Sequence, residues 1–310
     1  MEILLILFLA IIIDLALGDP PNAIHPVAWM GKVILLLEKG NISESHSAQF
    51  LYGTGIVVVT LGLFVAPAYF IITYLNSLSL AAYVIIGAVL LKSTLSLREL
   101  RQAALGIRRL LQEDKLDEAH FELRSLVSRD TRGLPKPLLV SATVESVAEN
   151  TTDSFVAPLF YFLLLGIPGA IGYRVVNTLD AMVGYHGKYE YLGKFASRLD
   201  DVLNFIPARL TALLLILAAF LSRKNGRRAW QVAFSEHART DSPNAGWPMA
   251  ATAGALNVQL EKVAHYKLGG TGTPLTPETI DASLKLVQTA ALVWVLLCFI
   301  AGGIQIVLTA

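Results

Sequence analysis

The sequence predicts an all-α, polytopic membrane helix bundle with a cytoplasmic amphipathic helical hairpin and one broken or re-entrant membrane segment. Three observations predict it. Of 310 residues, 54% are hydrophobic and only 16% charged, against about 25% charged in soluble domains, and the mean hydropathy is +0.57. No Asp, Glu, Lys or Arg occurs between Glu44 and Lys92. Proline and glycine punctuate a further apolar window at 154–173. A net charge of +1 and this apolarity exclude a disordered chain and a nucleic-acid partner. The single cysteine, Cys298, excludes a disulfide framework or a Cys-rich metal site within one chain.

The elements follow in order within one integral membrane domain, 1–310. Segment 3–17 is apolar, preceded by Glu2 and by no Lys or Arg, which is wrong for a secretory signal; it reads as a retained membrane helix. Segments 51–74 and 78–91 flank the polar Leu75-Asn76-Ser77 and read as a hairpin across the bilayer. The first has the ~20 residues a span needs and the second is slightly short. Within 95–127, Leu97, Leu100, Ala104, Ile107 and Leu111 recur at helical spacing, as do Leu116, Ala119, Leu123 and Leu126. Two amphipathic helices joined at 113–115 fit this pattern. Segment 154–173 contains Pro158, Gly166, Pro168 and Gly169, tolerated in a membrane helix only where other protein or a cavity satisfies the freed backbone. Segment 208–222 is a short or partial span, and 286–308 a C-terminal one. Ten Lys and Arg lie in 92–136 and eight in 223–285, which places both on the cytoplasmic side. Segment 174–209 is external if its two neighbours cross and cytoplasmic if neither does.

Ionisable residues in or beside a span are costly and mark function. Asp14, Asp19 and His25 lie at the mouth of the first helix, where Pro20 and Pro21 turn the chain out, and an interfacial turn with solvated acids is the plain alternative. Glu145, Glu149 and Asp153 are spaced i, i+4, i+8 and share one face of a helix over 140–154, with Asn150 on an adjacent polar stripe. Such acids repel unless a cation relieves them, and Mg²⁺ takes one or two protein carboxylates plus phosphate oxygens; a solvated acidic face is the plain alternative. If the acids served structure alone, removing one would not harm folding. A third group comprises Arg174, Asn177, Asp180, Tyr185, Arg198, Asp200, Asp201, Asn204 and Arg209, with the run Asp241-Ser242-Pro243-Asn244-Ala245-Gly246-Trp247-Pro248. Interleaved arginines and acids suggest an anionic ligand with a metal, against interfacial anchoring as the plain alternative. No Walker P-loop, serine elbow or zinc helix is present, and 269–274 (GGTGTP) reads as a turn rather than a phosphate nest.

These clusters carry a family resemblance. Residues 14–31 (DLALGDPPNAIHPVAWMG), 128–134 (SRDTRGL), 145–158 (ESVAENTTDSFVAP), 174–185 (RVVNTLDAMVGY), 196–209 (ASRLDDVLNFIPAR) and 242–255 (SPNAGWPMAATAGA) resemble the CobD/CbiB family, the adenosylcobinamide-phosphate (cobinamide) synthases. The resemblance spans almost the whole chain in order; 95–126 and the C-terminal span match in character alone. It implies a multi-pass ligase of the cell membrane, facing the cytoplasm. Such a ligase joins the free propionate carboxylate of adenosylcobyric acid to (R)-1-amino-2-propanol or its O-phosphate, with ATP and Mg²⁺. The corrinoid is then a substrate, and other membrane enzymes of cobalamin biosynthesis are candidate partners.

The resemblance marks the motifs; residue chemistry proposes the roles, with Glu145, Glu149 and Asp153 as the metal candidates. Asp19 or His25 is the base, beside Asp14. Arg129, Asp130, Asn150, Arg174, Asp180, Tyr185, Asp200, Asp201, Asn204, Arg209, Ser242, Asn244 and Trp247 are assigned to substrate or ATP, with Trp29, Trp247 and Tyr185 set to pack on the corrin face. The rival classes are a permease for an anionic solute and a structural anchor for pathway enzymes. Broken helices and membrane acids suit a permease, but no inverted repeat is visible.

Overall fold

The computed structural model describes residues 1–310 except 41–44, 128–129, 185–188 and 310. The chain is a polytopic all-α membrane protein. Among the described residues, five helical stretches are long and apolar enough to cross a membrane: His46–Leu78, Leu80–Gln112, Lys136–Val183, Lys194–Leu221 and Pro277–Leu308. The chain groups into two compact units, Met1–Ser96 with Ala157–Leu203 and Cys298–Ala310, and Leu97–Val156 with Asn204–Leu297.

In the first unit, α1 (Glu2–Leu17) buries Ile6, Leu7, Ala10 and Asp14 and ends at Gly18, whose φ of 72° is the left-handed conformation glycine tolerates. α2 (Pro26–Glu38) starts with proline at its first position, where no N–H is missed, and His25 caps it through Nδ1, which accepts from Val27 N. α3 (His46–Leu78) is 33 residues long, about 50 Å. The break before α4 (Leu80–Lys92) falls at Ser79 rather than at 75–77. Ser77 bonds back to Tyr74 O within the helix, whereas Ser79 Oγ accepts from Ala82 N and so caps α4. α4 packs on α1, and Gly87 permits it, since a Cβ there would meet Ile6 and Ile167 at 3.0 and 2.9 Å. The segment read as broken is α8 (Ala157–Val183), which kinks at Gly166 (φ 67°, ψ −160°) ahead of Pro168.

In the second unit, α5 (Leu97–Gln112) and α6 (Leu116–Leu123) form the amphipathic pair, joined at 113–115 with Asp114 at positive φ. Leu100, Ala104, Ile107, Leu111, Ala119 and Leu123 are buried, while Leu116 is exposed. α7 (Lys136–Thr151) is enclosed by α5, α6, α11 and β1, so every residue from Leu139 to Ala148 is buried. α9 (Lys194–Leu221) and α10 (Gly226–Glu236) precede α11 (Gly246–Leu256), and α12 (Pro277–Thr309) closes the chain. α10 meets α11 closely at Gly254, where a Cβ would lie 2.7 Å from Ala229 Cα. One departure from all-α is a small antiparallel hairpin, β1 (Gln259–Lys262) and β2 (Tyr266–Gly269), with Leu260 opposite Leu268.

Candidate functional site

Helices α1, α2 and α4 bring Asp14, Asp19 and His25 around Lys92. Lys92 Nζ lies 3.1 Å from Asp14 Oδ1, contacts Asp19 Oδ1, and donates to Leu95 O. Ser96 Oγ donates to Asp19 Oδ2 at 3.1 Å, and His25 Nε2 is 3.7 Å from the same oxygen. Lys92 and Asp14 are under 5% exposed, whereas the Asp19 side chain keeps 23%. Burial alone would push the Asp19 carboxyl up, but hydrogen bonds and charge from His25 and Lys92 outweigh it and hold it at about 2. Because His25 Nδ1 accepts the capping bond from Val27, the proton of the neutral ring sits on Nε2 and faces Asp19. Both ring nitrogens are thus engaged, Asp14 is sealed in, and Asp19 is the most accessible of the three. Lys92 and Ser96 were not singled out from sequence. The signal for Lys92 was present: a lysine ending an apolar run is as costly as the aspartate ending the first one.

A polar strip joins α8 to α9. Arg174 Nη1 donates to Asn177 Oδ1 at 3.3 Å, and Asn177 Nδ2 to Asp200 Oδ1 at 3.4 Å, with Asp200 buried. Asp180 faces Ser197 and Asp201. Arg129 and Tyr185 lie outside the described residues.

The acidic face of α7 differs from the expectation in two ways. The α-helix stops at Thr151 and a π turn, Thr152–Val156, follows, so Asp153 lies beyond the end of α7 rather than within one continuous α-helix over 140–154. Glu145 is 4% exposed, and both its oxygens accept: Oε1 from Ser141 Oγ at 2.7 Å, Oε2 from the Tyr266 hydroxyl at 2.8 Å. Ser141 Oγ in turn accepts from Glu261 N, which ties α7 to β1. Glu145 is therefore a buried acceptor, and on this geometry its removal is expected to cost stability, where the spacing alone predicts neutrality. Glu149 and Asp153 keep intermediate exposure. Among the described residues, no group of three or more His, Cys, Asp and Glu side chains is placed to hold a metal ion. Asn150 Nδ2 is spent within its own helix, on Ser146 O and Oγ. Tyr266 was out of reach of the sequence reading because the hairpin carrying it was not foreseen.

Arg209 and the start of α11 form the remaining group. Arg209 Nη1 donates to Phe205 O at 2.6 Å and to Asn244 Oδ1 at 3.3 Å, and its guanidinium lies 3.6 Å from the Phe205 ring centroid and 5.1 Å from that of Trp247. Ser242 Oγ accepts from Asn244 N and Ala245 N and turns the chain into α11. Asn244 is buried, as is Asn204 on α9. His237, which the sequence reading passed over, stacks on Trp247 at 3.8 Å, and Phe234 meets it edge-on. Trp247 is thus 9% exposed and has no open face for a corrin, whereas Trp29, pinned by Nε1 to Ala23 O, is 44% exposed. Asp130, held by Arg132, lines a cavity of about 150 Å³ with Leu134, Leu138, Glu261, Lys262, Val263 and His265.

Comparison with known proteins agrees with the motif resemblance. The family model described as CobD/Cbib protein matches residues 7–298. The cobalamin biosynthesis protein CobD of Dehalococcoides mccartyi is 56% identical over 297 residues, 96% of each chain. Probable cobalamin biosynthesis proteins CobD of Methanothermobacter thermautotrophicus and Pyrococcus furiosus are 41% and 43% identical, covering 98% and 84% of this chain and 98% and 86% of their own. No solved structure matches. A family match over nearly the whole length, on a polytopic helical chain, places this protein in the CobD/Cbib family of cobalamin biosynthesis.

Proposed function

We propose that this chain is an ATP-dependent amide ligase that joins the free propionate carboxylate of adenosylcobyric acid to (R)-1-amino-2-propanol or its O-phosphate. The observation that carries the reading is the buried charged network of Asp14, Asp19, His25 and Lys92, built from the motif at 14–31 in a membrane protein of a cobalamin-biosynthesis family. Such a network is too costly to persist for packing alone.

A carboxylate and an ammonium do not condense unaided: the acid's oxygen must leave, as phosphate drawn from ATP, and the ammonium must give its proton to a base, for which Asp19 is the accessible carboxylate of the cluster. Asp19, ionised at any physiological pH, draws the ammonium toward the cluster, and Lys92 with Ser96 holds the carboxylate in place. His25 fixes the ring beside it through its cap on α2. Arg174 and Arg209 supply fixed positive charge for carboxylate or phosphate oxygens. Mg²⁺ arriving with ATP would neutralise phosphate charge. Glu149 and Asp153 are the carboxylates whose exposure fits that role, while Glu145 does not fit, its oxygens being engaged. The exposed Trp29 offers a flat apolar face to the corrin. ATP chemistry and the basic segments 92–136 and 223–285 support a reaction on the cytoplasmic side of the cell membrane, where other membrane enzymes of the pathway would be partners.

Mass spectrometry of the reaction of purified protein with cobyric acid, ATP, Mg²⁺ and a mixture of free and phosphorylated aminoalcohol is the test. An ATP-dependent amide product is expected. Absence of product, together with ATP-independent solute uptake in proteoliposomes, would establish a permease instead.

A further inference from the structure

Arg209 is a half-buried guanidinium with no carboxylate in salt-bridge range among the described residues. It is held flat against Phe205 and near Trp247, with Nη1 committed to Phe205 O and Asn244 Oδ1. A desolvated cation without a counterion is costly, and proteins keep one where an anion arrives. Independently, the indole Nε1–H of Trp247 is buried with no acceptor, although the ring is nine-tenths buried. Orphaned buried donors are rare and call for a partner. His237 stacks on the same indole and uses Nδ1 on Ala233 O, so Nε2 is its other hydrogen-bonding atom. The chain is drawn tight here: a Cβ at Gly246 would meet His237 O at 1.9 Å, which keeps the start of α11 against His237. Asp241, whose charge would repel an anion, is drawn to His265 at 3.3 Å.

We infer that Arg209, Trp247 Nε1 and His237 form a binding site for a phosphate group at the start of α11. A guanidinium and an N–H donor match the several acceptor oxygens of a phosphate, and the aromatic stack fixes both donors before the ligand arrives. The inference rests on the ligase reading in its choice of source: the phosphate belongs to the O-phosphorylated aminoalcohol or to the nucleotide.

The test uses full-length protein in detergent, with inorganic phosphate, O-phosphoethanolamine, ethanolamine and a non-hydrolysable ATP analogue as probes. Calorimetry and Trp fluorescence are the readouts, with a melting curve for each variant. Phosphate and O-phosphoethanolamine are expected to bind, and ethanolamine not. Arg209→Gln should weaken binding about tenfold or more, as expected for losing a charge-assisted pair. Trp247→Phe keeps an aromatic ring beside His237 and Phe234 but removes the N–H together with part of the indole, so a several-fold loss of binding at unchanged melting temperature reports the donor rather than lost packing. Preference for O-phosphoethanolamine assigns the phosphorylated amine, and preference for the ATP analogue assigns the nucleotide. Equal binding by wild type and both variants overturns the inference, as does absence of phosphate binding in protein that still forms amide, which leaves the ligase reading standing. Phosphate binding lost in the variants, with no amide formed by wild type, sustains the site and removes the ligase.

Discussion

Replacing Lys92 by Met probes the charged network most directly, because it leaves Asp14 sealed without its cation. At the 3.1 Å separation of Lys92 Nζ and Asp14 Oδ1, unit charges attract by about 5 kcal/mol at an effective dielectric near 20. Breaking a buried pair by removing one partner typically costs about 3–5 kcal/mol. The stranded carboxylate can escape by taking up a proton, which caps the electrostatic cost at about 4 kcal/mol at pH 7 and about 1.5 kcal/mol at pH 5. Lys92→Met should therefore lower the melting temperature by on the order of 10 °C at pH 7, and recover more than half of that deficit at pH 5. Lys92→Met with Asp14→Asn removes both charges and should regain most of the stability at pH 7. The assay is thermal unfolding in one detergent, followed by circular dichroism at both pH values. A deficit that is the same at pH 5 and pH 7 and survives in the double variant would be packing loss, and would refute the electrostatic argument.

Three further outcomes follow from the geometry. Asp19 has a folded pKa of about 2, below its ordinary 3.8, so its contribution is present above about pH 4 and is lost as pH falls through 2. Acid melting of wild type should show that loss, Asp19→Asn should not, and the same variant should form amide at least tenfold more slowly while remaining in the membrane. Gly166→Ala forces a side chain into φ 67°, ψ −160°, a region essentially reserved for glycine, with Pro168 Cδ no nearer than 3.8 Å to the new methyl. Backbone strain of about 1–3 kcal/mol should lower the melting temperature by several degrees, and an unchanged curve would contradict the kink. Glu145→Gln and Tyr266→Phe should each destabilise, with a coupling of about 1.5–3 kcal/mol in the double-mutant cycle; additive effects would show that the 2.8 Å bond carries nothing.

The apolar, helical character of the chain, an amphipathic pair near 95–127 and an interruption within 154–173 were legible in the sequence because each is local, whereas α9 runs Lys194–Leu221 where the sequence suggested a short span at 208–222. Hydropathy, a 3.6-residue period and the φ freedom of glycine act within a few turns of chain. The clusters at 14–25 and 242–247 were legible for a related reason: charge and proline beside an apolar run signal cost wherever the chain goes. What the cluster residues touch was a matter for the tertiary structure. Lys92 is separated from Asp14 by most of α2, α3 and α4, and only their packing turns a lysine at the end of an apolar run into the counterion of two aspartates. Glu145 read as one of three equivalent acids by spacing. Enclosure of α7 by α5, α6, α11 and β1, and a hairpin delivering Tyr266, made it a buried acceptor, while Asp153 falls in a π turn past the end of α7. Trp247 read as an exposed platform by residue type and became an enclosed donor once His237 stacked on it. Local sequence determines which residues are costly to bury; long-range packing alone decides which partner meets that cost.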